Sequence, residues 1–100
     1  MGKLVRDKIP EIIEASGATP LTRILETEEY LSCLETKLDE EVQEFHESKA
    51  TEELADILEV VYALAAAQGC SREQLLSLYE TKNAARGGFK KRIYWMGNEK

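Results

Sequence analysis

Apolar residues recur at helical spacing in four stretches of the chain, three of them closed by glycine and the second by a short polar connection over residues 46–50. Ile9, Ile12 and Ile13 give a short apolar side behind Pro10, which suits a first helical turn. Asp7 or a neighbour can cap it, and Gly17 ends it, so a first helix is expected over about residues 9–16. Leu31, Leu34, Leu38 and Phe45 mark one face of a second helix over about residues 28–48, with Thr27 as its cap and Glu28 and Glu29 at its positive end. Leu54, Ile57, Leu58, Val60, Val61, Tyr62, Leu64 and several alanines predict a third helix over about residues 52–68, capped by Thr51 and ended by Gly69. Ser71-x-x-Gln74 reads as a capping box opening a fourth, with Leu75, Leu76, Leu78 and Tyr79 as its apolar positions and Gly87-Gly88 as its stop. Between and after these lie two stretches with a rougher alternation. Residues 18–25 suit a short edge strand, demoted by Pro20, and residues 89–96 suit a partner for it.

The third helix is apolar nearly all round. In a chain of 100 residues one neighbour cannot cover it, so it is either central or buried against another subunit. The expected architecture is all-α, a helical hairpin bundle with at most a small two-stranded edge, completed by oligomerisation.

Composition narrows the class. With 43% hydrophobic and 32% charged residues the chain is globular, and its length makes it one domain spanning residues 1–100. A net charge of -6 argues against general nucleic-acid binding, though not against a small anion brought in by a metal ion. Cys33 and Cys70 are too few and too scattered for a disulfide framework or a zinc site, and His46 has no ligand partner at zinc spacing. No apolar run reaches the ~18 residues of a membrane span. A reduced, cytoplasmic setting is the simplest expectation.

The chemistry lies where the helical pattern is broken. Glu41-x-x-Glu44 and Glu53-x-x-Asp56 are two acidic pairs, separated by eight residues, and both sit within apolar patterns. Glu41, one heptad after Leu34, falls on the apolar face of its helix. Glu53 and Asp56 share a flank with Val60 and Ala67. If the chain folds back between the pairs, four carboxylates converge on one small volume. Such a cluster is costly unless a cation compensates, and a hard divalent ion with oxygen ligands is the usual one. Magnesium, or manganese in its place, is therefore expected on Glu41, Glu44, Glu53 and Asp56. Cations stand elsewhere in the chain: Arg6 and Lys8 at its head, Lys82 and Arg86 at helical spacing, and Lys90, Lys91 and Arg92 beyond. They suit phosphate capture, against the simpler reading of cations at a helix C-terminus and a charged edge.

Taken together, KLVRDKIPEII, KLDEEVQEF, EELADILEVVYALA and K-x-x-x-RGGF resemble the all-α nucleoside triphosphate pyrophosphohydrolases of the MazG-like superfamily. The likeness runs from about residue 3 to residue 95 and is nearest to the small single-domain, house-cleaning branch. The resemblance implies magnesium on the four acids just named. It also implies that Glu40 orients or deprotonates the attacking water, with Glu41 the other catalytic carboxylate. It places phosphates on Lys82 and Arg86, with Arg6 and Lys8 part of the branch's opening motif. It further implies a nucleoside triphosphate substrate, cleaved to monophosphate and pyrophosphate, and a homodimer or homotetramer. The eight-residue connection is shorter than in many relatives and leaves less material for a base-recognition pocket. Two other readings stay open: a phosphoribosyl-ATP pyrophosphohydrolase, and a non-catalytic helical interaction module.

Overall fold

The computed structural model describes residues 2–99 and contains four helices: α1 (Ile9–Ala15), α2 (Thr27–Ser48), α3 (Thr51–Ala67) and α4 (Arg72–Arg86). All four lie within a residue or so of the ranges the apolar spacing predicts. No single helix among the described residues is long and apolar enough to cross a membrane.

The architecture rests on α2 and α3. Only Lys49 and Ala50 separate them, and the chain reverses there. Lys49 adopts a left-handed conformation at φ 58°, and its N–H donates to the Phe45 carbonyl at 2.8 Å, closing the last turn of α2. Its ammonium lies 5.7 Å from the centre of the Phe45 ring. The Ala50 N–H donates to Ser48 Oγ at 3.1 Å, which fixes the exit. The two helices then pack along each other, with Leu34 of α2 and Val60 and Ala65 of α3 as the buried apolar residues. Gly69, at φ 80°, turns the chain out of α3, and α4 leaves bent by 108°. The expected capping box is present: the Gln74 N–H donates to Ser71 Oγ at 3.1 Å and the Ser71 N–H donates to Gln74 Oε1 at 2.8 Å. Helix α4 packs on α3 alone, and α1 packs on no other helix among the described residues.

Several expectations fail locally. Thr27 and Thr51 are first helical residues rather than caps; Glu26 and Ala50 hold the cap positions without a side-chain bond. Asp7 does not cap α1 either, since Lys8 stands at the cap position and the Ile9 N–H is satisfied by the Arg6 carbonyl at 3.0 Å. The two-stranded edge does not form: no strand occurs among the described residues. A two-stranded ribbon is marginal unless a packed face covers it. Here Leu21 and Ile24 are 98% and 94% exposed, so nothing covers one partner. The other is interrupted by a turn in which the Arg92 N–H reaches the Phe89 carbonyl at 3.1 Å, with Arg92 at φ 58°.

Candidate metal centre

Helix α2 carries Glu41 inward on the face that packs against α3. Its neighbour on that face, Leu34, is the most buried apolar residue, so the backbone has no freedom to turn Glu41 out. Glu41 is 7% exposed and is the only buried charged residue among those described. From α3, Glu53 and Asp56 come to meet it, because three residues of helix return a side chain to nearly the same side. One carboxylate oxygen from each of Glu41, Glu53 and Asp56 lies within 4.8 Å of the others.

The hydrogen bonding is incomplete in a telling place. Glu41 Oε2 and Glu53 Oε2 are both buried and neither has a hydrogen-bond partner. Unsatisfied buried carboxylate oxygens cost more than ordinary polar atoms, because the ionised form has only acceptors. Burial accordingly pushes the Glu41 carboxyl above the usual glutamate range. The adjoining Glu44 carboxyl and then Asp56 push it the same way, and the Lys37 ammonium opposes them in part. Three carboxylates within reach of a single point, with orphaned oxygens and no N or S donor, form an oxygen-only set suited to magnesium or manganese rather than zinc.

The remaining predicted residues are distributed as follows. Glu44 stands one turn beyond Glu41 and adds negative charge, but it is outside the group of three. Glu40 is on the lip, 43% exposed, with its Oε2 3.4 Å from Lys37 Nζ. Arg6 reaches across from the N-terminal arm and donates from Nη2 to Asp56 Oδ1 at 2.7 Å. Lys8 is exposed at the start of α1. Lys82 and Arg86 are exposed on α4, which makes no packing contact with α2. Eleven residues of helix, about 16 Å, separate Asp56 from the end of α3, and α4 then turns away. Within one chain these two cations are not brought to the acids.

Lys37 was missed by the sequence reasoning. Its ammonium sits 3.4 Å from Glu40 and 3.5 Å from Glu41 Oε1, with only 20% of its side chain exposed. The signal was available, since Lys37 stands three and four residues before the two acids, the spacings at which helix side chains meet.

No protein-family profile matches the chain, and no solved structure matches it. An uncharacterized protein of Mycolicibacterium smegmatis is 59% identical over 44 residues, which is 44% of this chain and 45% of that relative. The similarity thus spans under half of either protein.

Proposed function

We propose that this chain is a magnesium-dependent nucleoside triphosphate pyrophosphohydrolase of the MazG-like kind, acting as a homodimer or homotetramer. The observation that carries the reading is Glu41. It is more than nine-tenths buried, it leaves an oxygen without a partner, and its carboxylate is one of three that two helices bring together. A core that tolerates such a residue without a function would be unusual, since an apolar side chain there would pack at no electrostatic cost.

Glu41, Glu53 and Asp56 would hold the ion, with Glu44 behind Glu41. The bound ion supplies charge neutralisation on the phosphate oxygens and a more acidic water. The chain's own residues divide the rest of the work. Glu40, on the solvent-facing lip and steadied by Lys37, accepts a proton from the attacking water. The water oxygen then bonds to the α-phosphorus, the bridging α–β P–O bond breaks, and pyrophosphate leaves. Arg6, held at Asp56, is close enough to the acids for its guanidinium to offset the charge gathering on the leaving group, and Lys8, two residues on, would add a second positive charge. Lys82 and Arg86 join only if a second copy supplies them, because α4 leads them away from their own cluster.

The test is a pyrophosphate-release screen over standard and damaged nucleoside triphosphates and phosphoribosyl-ATP, with and without magnesium. Release from a nucleoside triphosphate that needs magnesium and is lost in Glu41→Gln, with helical circular dichroism retained, supports the reading. Release confined to phosphoribosyl-ATP reassigns the substrate. No release from any of them, together with thermal midpoints indifferent to magnesium, leaves the helical interaction module.

A further inference from the structure

The N-terminal arm packs as part of no helix pair, yet it lies across the acidic cluster. Gly2, Lys3 and Leu4 form one wall of a cleft of about 100 Å³ whose other wall is Cys33, Thr36, Lys37 and Glu40 of α2. Two residues further on, Arg6 crosses to α3 and holds Asp56 Oδ1 at 2.7 Å. Asp56 therefore serves two groups at once: it belongs to the set of three carboxylates and it is the partner of a guanidinium.

That double duty has a physical consequence. A guanidinium and a divalent ion on one carboxylate repel each other at short range. The Arg6–Asp56 pair is the weaker of the two associations. Its side chains are 55% and 40% exposed, and ion pairs of that kind contribute little. The backbone of residues 2–6 is in neither helix nor strand, so few main-chain bonds hold Arg6 in place.

Resting on the function proposed above, we infer that Arg6 is the exchangeable cation of this site. It holds Asp56 until a divalent ion takes that carboxylate, and its fork then passes to the phosphate oxygens of the nucleotide that arrives with the ion. The direction of the exchange follows from charge. An ion that neutralises Asp56 removes most of the attraction for Arg6 there, while a polyphosphate offers a stronger and geometrically equivalent acceptor for the same planar fork. Ion and nucleotide are thereby linked through one side chain. The ion alone must displace Arg6, and the nucleotide gives Arg6 a place to go, so each favours the other.

The inference is tested with Arg6→Gln and Mn²⁺, following free Mn²⁺ by electron paramagnetic resonance, with and without a triphosphate bearing a methylene α–β bridge. Circular dichroism confirms that the variant folds. Without nucleotide, R6Q should bind Mn²⁺ about two- to fivefold more tightly than the wild type, because nothing has to be displaced. With Mn²⁺ present it should bind the analogue roughly tenfold more weakly, and the mutual enhancement of ion and analogue seen in the wild type should shrink. If R6Q binds Mn²⁺ more weakly, Arg6 is a fixed support for Asp56 and the exchange is wrong. If R6Q matches the wild type in both measurements, Arg6 is a bystander and the exchange is equally wrong. Either result leaves the ion site standing, provided that Glu41→Gln loses Mn²⁺. A wild type that binds no Mn²⁺ overturns the metal centre itself and this inference with it.

Discussion

Glu41 is held between opposing demands. Its position on the packed face of α2 excludes water, and its partners nearby are mostly of its own sign. The folded-state pKa is raised above the ordinary value of 4.5, so the folded chain binds this proton more readily than the unfolded chain does. The contribution is fully present below 4.5 and is lost as the pH rises through the raised value. Without divalent ions, wild-type stability should therefore fall over that interval relative to Glu41→Gln. At neutral pH the variant should be the more stable by on the order of 1 kcal/mol, since it retains no ionised orphan. Added magnesium should raise the wild-type midpoint and leave the variant's unchanged. Thermal melts at pH 4.5 and pH 7, with chelator and with magnesium, read all of these. A variant less stable than the wild type in chelator at pH 7 would contradict the account. Glu41 was also legible in the sequence, because a carboxylate on an apolar stripe breaks the pattern that builds the helix. The Arg6–Asp56 pair was not, since residues fifty apart carry no local signal of their meeting.

At the scale of elements, the helices follow from spacing and stop signals, and the errors have a common origin. Apolar periodicity reports which face is buried, and this held for α2, where Leu34 and Glu41 are both covered. It carries less information about ends. Thr27 and Thr51 have the chemistry of caps but became first helical residues, and at these ends no side chain supplies the missing acceptor. Ser71 is the contrast, with both bonds of its box formed. Ser71→Ala should destabilise the fold by about 1 kcal/mol, visible as a lower midpoint in denaturant, whereas Thr51→Ala should cost a few tenths or less. Equal losses at the two positions would show that the caps do not differ as described. The strand expectation failed for another reason. Alternation in residues 18–25 and 89–96 signals that one side seeks cover, and a single chain contains no surface to provide it.

That lack of cover is the dominant property of the whole molecule. The accessible surface is 9277 Å², whereas a compact monomer of 11.3 kDa has about 5,700 Å². The radius of gyration is 18.1 Å, against about 13 Å for a compact domain of this length. The excess is roughly 3,500 Å², and large apolar side chains are among what α2 and α3 leave uncovered. Leu54 and Leu58 of α3 are each 48% exposed, and Phe89, Ile93, Tyr94 and Trp95 are 75–98% exposed. Giving up such an area to a second copy falls in the range of obligate interfaces. Sedimentation should therefore find a dimer or larger at micromolar concentration, and Leu58→Glu should shift it toward monomer with a lower thermal midpoint. A wild type that sediments as a stable, compact monomer would contradict this. The sequence showed the need, in a third helix apolar all round, but a repeat of 3.6 residues cannot say which surface answers it.

The two-residue joint at Lys49 and Ala50 also sets a sequence in time. Helices so close along the chain find each other by diffusion of a very short segment, on the microsecond scale of local events. The C-terminal arm, with Phe89, Ile93, Tyr94 and Trp95 exposed, has no such cover among the described residues, and an encounter between molecules would supply it. Refolding should thus show a fast helical phase indifferent to dilution and a slower one that quickens with protein concentration. Trp95, the only tryptophan, lies on an uncovered arm and should report the slower one through its fluorescence. A newly made chain would spend that interval with its half of the bargain kept and its greasy flank open to whatever it meets first.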